Sequence, residues 1–251
     1  MSNYLLYFIV GIVVGIVSAL FGLGGGFVLV PVLNILGVGI HQAVGTSSAA
    51  VVFTALSSTL AYSRRGMIHY KTGILLSIPA VVGAYLGAVM TTYVTPCELK
   101  VIFGVTLLFV AYRIYAKETA EPNEVNVSEI RLDYRLVPVG GFFSGIASGL
   151  LGVGGGIINV PFLVWLGMPI HYAVATSSFA IVFTSTSSAL KHYYLGNVEV
   201  HWLLLLVPGL ILGAQLGAKT AEKVKAKSLK NAFAVVMIIL ALRMILSGLG
   251  W

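Results

Sequence analysis

The sequence has few charged residues. Lys, Arg, Asp and Glu make up 9% of its 251 residues, whereas residues with apolar side chains make up 58%. A soluble globular domain carries about a quarter charged residues. Several windows of about 20 residues are almost entirely apolar, and a helix of that length can cross a bilayer. The composition therefore excludes a water-soluble protein and predicts an all-α polytopic membrane protein.

Cysteine and catalytic motifs are also scarce. The single cysteine, Cys97, cannot form an internal disulfide or a multi-cysteine metal site. The apolar segments contain no Asp or Glu, which argues against the carboxylate relays that cation pumps use. The sequence contains no nucleophile–base–acid set, metal-ligand cluster or nucleotide-binding loop. We therefore predict that the protein is not an enzyme and uses no cofactor or metal.

Acidic residues are outnumbered by basic ones, 8 to 15. Such an excess can indicate that a protein binds nucleic acid, but the cytoplasmic loops of membrane proteins are also rich in Lys and Arg. Residues 1–20 have no basic n-region and no small-residue cleavage site, so we expect no removed signal peptide. The expected partner behind the positive charge is the lipid bilayer, not nucleic acid.

Glycine is abundant, and one glycine-rich pattern occurs twice. A G-x-G-G-G run is followed by Pro, His and a Thr-Ser-Ser triplet, and the same order returns 130 residues later. Many matched positions at one offset indicate a duplication. The duplicated residues are Gly24, Gly25, Gly26, His41, Thr46, Ser47 and Ser48 in the first copy and Gly154, Gly155, Gly156, His171, Thr176, Ser177 and Ser178 in the second.

Each glycine-rich run interrupts a long apolar segment. Residues 27–36 would form a helix about 15 Å long, which is too short to cross about 30 Å of hydrocarbon. Residues 4–36 as a single helix would be about 50 Å long, which is too long. We therefore expect a re-entrant helical hairpin with its tip at the glycines, and a second one over residues 136–166. Such broken backbone must be covered by protein or water.

Three further helices are predicted after each hairpin. They cover residues 41–62, 72–92 and 99–115 in the first copy and 171–190, 202–218 and 231–248 in the second. The predicted organisation is repeat 1 over residues 1–115, a polar cytoplasmic linker over 116–135, and repeat 2 over 136–251.

The basic residues predict the orientation of the repeats. The turn with Arg64, Arg65 and Lys71 and the lysine-rich segment 219–230 are the most basic connections, and cytoplasmic loops collect such residues. The two segments are not equivalent in the two repeats, so both are cytoplasmic only if the repeats are inverted. Inverted repeats must each cross the membrane an odd number of times. The three helices of a repeat cross once each, and a re-entrant hairpin crosses zero or two times, so the total is odd. Both termini then lie on the extracytoplasmic side.

The glycine tips, Gly24–Gly26 and Gly154–Gly156, are candidates for contact with an anion. The first turn of a helix has unpaired N–H groups and a partial positive charge, and glycine lets an anion approach closely. Inverted-repeat transporters hold anionic substrate groups at such half-helix N-termini. In the competing interpretation the glycines only allow a tight turn and close packing.

The triplets Thr46–Ser48 and Thr176–Ser178 are candidates for the same ligand, because hydroxyl groups donate to an oxyanion without a buried charge. Serines in membrane helices also serve in packing or bond to the preceding turn. Three consecutive residues cannot share one face of a helix. We therefore expect one or two hydroxyl groups of each triplet to contact the ligand.

Four more duplicated residues are candidates for proton transfer or anion steering. His41 and His171 lie near helix starts, and histidine titrates near neutral pH. Their alternative role is at a polar interface or a helix cap. Arg113 and Arg243 lie near the ends of equivalent helices, where long basic side chains also extend to the membrane surface.

Taken together, these residues resemble the TauE/SafE family, the sulfite exporter family. The resemblance rests on the duplicated tip, the proline five residues later, the triplet, and the G-A-x-L-G-A helices at Gly83–Ala88 and Gly213–Ala218, and it covers nearly the whole chain. It implies a secondary transporter of a small sulfur-containing oxyanion, such as sulfite, sulfoacetate or a related sulfonate, in the cell membrane. The copies differ at Gly45, where the second has Ala175, and at Asn34, where it has Val164.

Other functions use the same features. An anion channel could use the same site, and saturable, gradient-coupled flux separates a transporter from it. A membrane enzyme acting on sulfur compounds is a more distant alternative, since no catalytic set is present. The particular anion, the direction of transport, the coupling ion and the oligomeric state, with a homodimer as one option, are left open.

Overall fold

The computed structural model describes residues 2–116, 134–220 and 226–250. Within these ranges the regular structure is helical, with one short 3-10 helix at Thr91–Tyr93 and no strand. The α-helices are α1 (Ser2–Phe21), α2 (Gly26–Ile35), α3 (Ile40–Ser63), α4 (Tyr70–Met90), α5 (Pro96–Ala116), α6 (Val137–Leu151), α7 (Gly156–Trp165), α8 (Ile170–Tyr194), α9 (Val200–Thr220) and α10 (Ala226–Gly248).

The two predicted helical hairpins are present as α1–α2 and α6–α7. The second helix of each has 10 residues, a length of about 15 Å. Gly25 and Gly155 precede these helices with φ angles of 83° and 80°. Residues with a Cβ are strained in this left-handed region, so the chain reverses at glycine. The glycine runs therefore end the first helix and start the second.

The chain is a multi-pass α-helical membrane protein, as predicted. Among the described residues, four helical segments are long and apolar enough to cross a membrane: α3, α4 with the 3-10 helix that follows it, α8 and α9. Helices α5 and α10, which occupy equivalent positions in the two copies, have 21 and 23 residues. Helix α10 begins at Ala226 rather than at the predicted residue 231, so part of the lysine-rich segment is helical. The predicted linker, apart from its ends, lies outside the described residues.

Helices of one repeat pack chiefly against helices of the other. Helix α1 lies along α9, and its equivalent α6 lies along α4; α3 packs against α8, and α5 against α10. Glycines allow the closest approaches. A Cβ on Gly87 would overlap the carbonyl oxygen of Ile146, and a Cβ on Gly213 would overlap that of Ile12. The two G-A-x-L-G-A helices therefore make the close helix contacts typical of such spacings.

Equivalent helices that touch each other run in opposite directions. Ser48, near the start of α3, and Ser188, near the end of α8, have hydroxyl oxygens 2.9 Å apart. Lys100, near the start of α5, donates from Nζ to Oγ of Ser247, near the end of α10, at 2.9 Å. Both pairs of helices are therefore antiparallel where they meet.

Candidate functional site

The two glycine tips meet in the interior of the protein. A Cβ on Gly26 would overlap the carbonyl oxygen of Gly152, and a Cβ on Gly156 would overlap that of Gly22. The contact is reciprocal, because each tip presents the equivalent glycine to the equivalent carbonyl group of the other. All four glycines are buried. The structure thus brings together the tips that the sequence places in different halves of the chain.

The N-termini of α2 and α7 lie at this contact, since these helices begin at Gly26 and Gly156. The first turn of a helix carries a partial positive charge and N–H groups without intrahelical acceptors. Two such ends converge here, away from water. The arrangement can stabilise a negative charge that enters between the tips.

The serines in the middle of the two triplets hold the tips together. Ser47 donates its hydroxyl proton to the carbonyl oxygen of Gly152 at 2.8 Å, and Ser177 donates to that of Gly22 at 3.1 Å. A hydroxyl group has one proton to donate. In this conformation both donors are therefore used between the repeats.

The threonines of the triplets bind the connections of the opposite repeat. Oγ1 of Thr46 accepts a hydrogen bond from the backbone N–H of Glu199 at 2.8 Å, and Oγ1 of Thr176 accepts one from that of His69 at 3.0 Å. His69 precedes α4 and Glu199 precedes α9, so the bonds are equivalent. Each triplet therefore links a tip to a surface connection.

The third serines of the triplets differ between the copies. Ser48 pairs with Ser188 of α8, whereas Ser178 donates to the carbonyl oxygen of Val174 one turn earlier in its own helix, at 3.0 Å. The contact of these serines, and of the rest of both triplets, with a ligand stays a prediction.

A cavity of about 620 Å³ opens beside the first hairpin. His41, Lys100 and Arg243 contribute basic groups to its wall, and none of the described residues that line it is acidic. Amide side chains from Asn34 and Gln42 add hydrogen-bonding groups. The structure thus places two of the candidate steering residues in one positively charged cavity.

His41 is held by the short 3-10 helix that follows α4. Its Nε2 lies 3.1 Å from the carbonyl oxygen of Thr91 and 3.0 Å from that of Val94. Since carbonyl oxygens only accept, Nε2 is the protonated nitrogen and donates to them. His171 is half-buried at the start of α8 and does not line the cavity. The side chain of Arg113 lies outside the described residues.

A family model described as Sulfite exporter TauE/SafE matches residues 7–244. The chain belongs to the TauE/SafE family. It is 31% identical to the probable membrane transporter protein YunE of Bacillus subtilis, over 98% of this chain and 99% of that one. It is 30% identical to a probable membrane transporter protein of Methanocaldococcus jannaschii, over 96% and 95% of the two chains. No solved structure matches it.

Family membership confirms the resemblance on which the sequence analysis relied, and the protein is a membrane transporter of the TauE/SafE type. The matched range includes both glycine tips, both triplets and the basic residues of the cavity wall. The features described above therefore lie in the part of the chain that defines the family.

Sequence reasoning missed a group of polar residues around the second tip. Ser144, Ser148, Asn159 and Ser185 are buried, and their side-chain hydrogen-bonding atoms have no partner among the described residues. They were missed because each lies within a largely apolar stretch of the sequence. A comparison of the two copies position by position would have found them, because three of the four stand opposite apolar residues of the first copy.

Proposed function

We propose that this protein is a secondary transporter that moves a small sulfur-containing oxyanion, such as sulfite, sulfoacetate or a related organosulfonate, across the cytoplasmic membrane. The basic cavity is the observation that carries the proposal. A cleft with charges of one sign and low-dielectric walls concentrates ions of the opposite sign. Lys100 and Arg243 supply that sign, and the family description adds sulfite as the kind of anion.

The cavity gives the anion a route to the glycine tips. Its wall includes Pro31, which lies five residues after Gly26 in α2. Five residues of α-helix span about 7.5 Å. An anion that enters beside Arg243 therefore has about one and a half turns of α2 left to pass before it reaches the tip.

The proposed site lies between the tips, at the backbone N–H groups of Gly24–Gly26 and Gly154–Gly156 with the hydroxyl groups of Thr46–Ser48 and Thr176–Ser178. In the structure Ser47 and Ser177 donate to carbonyl groups of the opposite tips. An arriving oxyanion competes with those carbonyl groups for the same protons. Binding thereby loosens the contact between tips, which couples substrate binding to movement.

Inverted repeats supply the movement in this proposal. A two-fold axis that relates two touching antiparallel helices is perpendicular to them. The antiparallel pairs α3–α8 and α5–α10 therefore support an axis in the membrane plane. Such repeats alternate access by rocking one unit against the other around a fixed site.

The basic connections support the orientation. Arg65 donates from its guanidinium group to the carbonyl oxygens of Ala218 and Lys219, at 3.1 Å and 3.2 Å. The turn after α3 and the lysine-rich segment after α9 therefore share one side of the protein, and the positive-inside rule makes that side cytoplasmic. The termini and the basic cavity then face the opposite side, so this conformation is open outward.

Reconstituted vesicles test the proposal. We expect saturable uptake of labelled sulfite or sulfoacetate that exceeds equilibrium with an imposed gradient, and no comparable uptake of chloride. Replacing Gly25 or Gly155 by Leu should abolish it, since each needs a positive φ angle and lies against a serine. Val105→Leu is the control, because this side chain of α5 is exposed and lines neither the tips nor the cavity.

The outcome separates the alternatives. Flux that never exceeds equilibrium would identify an anion channel with the same site. Full uptake by monodisperse Gly25→Leu and Gly155→Leu proteins would exclude the tips as the binding site.

A further inference from the structure

The two hairpins have the same backbone but different surroundings. In the second repeat, Ser144, Ser148, Asn159 and Ser185 are at most 1% exposed, and their side-chain oxygen and nitrogen atoms have no hydrogen-bond partner in the described part of the chain. We call these four residues the polar cluster. At the equivalent positions, the first repeat has Val14, Ser18, Leu29 and Ala55.

The polar cluster surrounds the second glycine tip. A Cβ on Gly155 would lie 3.0 Å from Oγ of Ser144, and a Cβ on Gly154 would lie 3.1 Å from Oγ of Ser185. These two hydroxyl groups therefore flank the turn that precedes α7, one from α6 and one from α8. Ser148 lies one turn after Ser144 on the same face of α6.

Asn159 completes the polar cluster from α7. Its backbone N–H donates to the carbonyl oxygen of Gly155 at 3.0 Å, which places it at the first turn of that helix. Leu163, four residues later on the same face, packs in an apolar cluster with Leu76 and Ala173. The amide group is therefore the polar end of an otherwise apolar helix face, one turn after Gly155.

Groups of this kind point to a ligand. Burying a hydrogen-bonding group without a partner destabilises a protein, and polar residues inside a membrane mark substrate and ion pathways. The polar cluster offers three hydroxyl donors and an amide donor. The N-terminus of α7 adds a partial positive charge, which repels a cation and attracts an anion.

The first tip has fewer polar groups beside it. A Cβ on Gly25 would lie 3.2 Å from both Oγ of Ser18 and Cγ1 of Val14, and a Cβ on Gly24 would lie 3.0 Å from Cγ1 of Val51. Val51 belongs to an apolar cluster with Ala55 and Ile181. An ion between the tips therefore meets most of the hydroxyl and amide donors on the side of the second tip and mainly aliphatic groups on the side of the first.

We propose that the polar cluster binds the oxygens of the substrate, so that the second repeat supplies most of the side-chain donors to the anion and the first tip forms a largely apolar wall. This inference rests on the proposed function in anion transport. The matching substrate class is a pyramidal three-oxygen head, whose fourth direction is a lone pair or a carbon atom, as in sulfite and organosulfonates. Sulfate and phosphate present a fourth oxygen to the apolar wall and bind more weakly. Because the polar cluster is closed to solvent, the tips separate when the anion enters.

The test converts the second hairpin to the composition of the first. Ser144→Val, Asn159→Leu and Ser185→Ala each introduce the residue found at the equivalent position of the same fold. Thr184→Val is the control, because its hydroxyl group already donates to the carbonyl oxygen of Ala180 at 2.7 Å. Binding of sulfite, methanesulfonate and sulfate to the purified full chain is measured calorimetrically, and the unfolding temperature is measured without ligand.

We expect the wild-type protein to bind sulfite and methanesulfonate more tightly than sulfate. Asn159→Leu and Ser185→Ala should each lower sulfite affinity roughly tenfold or more, since each removes a hydrogen bond to a charged group. They should also raise the unfolding temperature without ligand, because each removes an unpartnered buried group. A purely structural role predicts the reverse change in stability. Thr184→Val should leave affinity unchanged.

Other outcomes overturn one proposal and leave the other standing. Unchanged sulfite affinity in all three variants would refute the polar cluster as the binding site but not anion transport. Equal affinity for sulfate and sulfite would refute the apolar wall. If the wild-type protein binds nitrate but no sulfur anion, and the variants lose nitrate, the sulfur assignment fails and the polar cluster stands.

Discussion

The two glycine tips share one backbone geometry and differ in the side chains around them. Gly25 and Gly155 have φ angles of 83° and 80°, and each tip contacts the other through equivalent atoms. The first is flanked by Val14, whereas the second is flanked by Ser144. Duplication therefore preserved the hairpins and their interface, while the chemistry inside diverged. Substitutions that affect both tips alike report on the shared interface, and substitutions with one-sided effects report on recognition.

The largest effects are expected at the shared interface. Gly26→Ala and Gly156→Ala each place a Cβ against a backbone carbonyl group of the opposite tip, which cannot move as a side chain can. Overpacking of this kind costs about 1–3 kcal/mol of stability. Both variants should unfold at lower temperatures and lose most transport, by similar amounts.

Thermal unfolding and vesicle uptake measure these effects, again with Val105→Leu as the reference variant. If only one of the two variants were impaired, the tips would not be equivalent in the folded protein, and the reciprocal contact would be wrong.

The next prediction compares a basic residue of the cavity with a basic residue on the opposite side of the protein. Arg243→Gln removes a positive charge from the cavity, and Arg64→Gln removes one from an exposed turn on the opposite side. Because a charged cleft concentrates its counter-ion, Arg243→Gln should raise the KM for the anion about three- to tenfold, mainly at low salt. Arg64→Gln should leave the outer KM unchanged. Uptake at two ionic strengths tests this, and equal effects of the two variants would contradict a steering role for Arg243.

A smaller effect tests a contact that the repeats build from different residues. The hydroxyl group of Tyr62 donates to the carbonyl oxygen of Ala19 at 2.7 Å, and Nε2 of His192 lies 2.8 Å from that of Gly149. Tyr62→Phe should cost about 1 kcal/mol of stability, the usual net value of one hydrogen bond. His192→Phe should cost a similar amount, and His192→Tyr should restore it. Chemical unfolding of the three variants measures this, and no recovery in His192→Tyr would show that the contacts are not equivalent.

The smallest effect concerns pH and only the first repeat. Burial and the nearby positive charge of Lys71 lower the pKa of His69, whose Nδ1 accepts a hydrogen bond from the backbone N–H of Thr72. As the pH falls, the unfolded chain therefore takes up a proton on His69 before the folded protein does. The stability that this contact contributes is present above pH 6.5 and is lost as the pH falls through the lowered pKa.

Unfolding temperatures between pH 5 and 8 measure the contribution, and His69→Asn should reduce their pH dependence because Asn also caps a helix without titrating. An unchanged slope in His69→Asn would assign the pH dependence to other groups.

Much of the fold could be predicted because its determinants are local. The apolar runs, the glycine interruptions and the offset of 130 residues specify the hairpins and the helices that follow. Helix α3, predicted over 41–62, covers Ile40–Ser63, and α9, predicted over 202–218, covers Val200–Thr220. The start of α10 was missed, since its first turn is rich in lysine and resembles a loop.

The contacts of the candidate site could not be predicted in the same way. The Thr-Ser-Ser triplets were correctly placed early in α3 and α8, but the partners of Thr46, Ser47, Thr176 and Ser177 are backbone groups more than 100 residues away. Nothing in the sequence around Ser47 specifies that its proton goes to Gly152. The basic cavity combines Arg243 with Lys100, which was not singled out, because no local pattern joins the start of α5 to the end of α10. Side chains that act across the two repeats are visible only once the repeats are packed.

The exchange of packing partners between repeats has a consequence for synthesis. Helix α1 leaves the ribosome first, yet its main neighbour, α9, begins about 180 residues after α1 ends. The first half of the nascent chain therefore lies in the bilayer before α9 is available to pack against the glycine face of α1. During that time lipid or an insertion factor contacts this face. The two halves made as separate polypeptides should each be short-lived in cells and should become stable when produced together. Assembly is thus a step that follows insertion, and it is completed only when the last helices arrive.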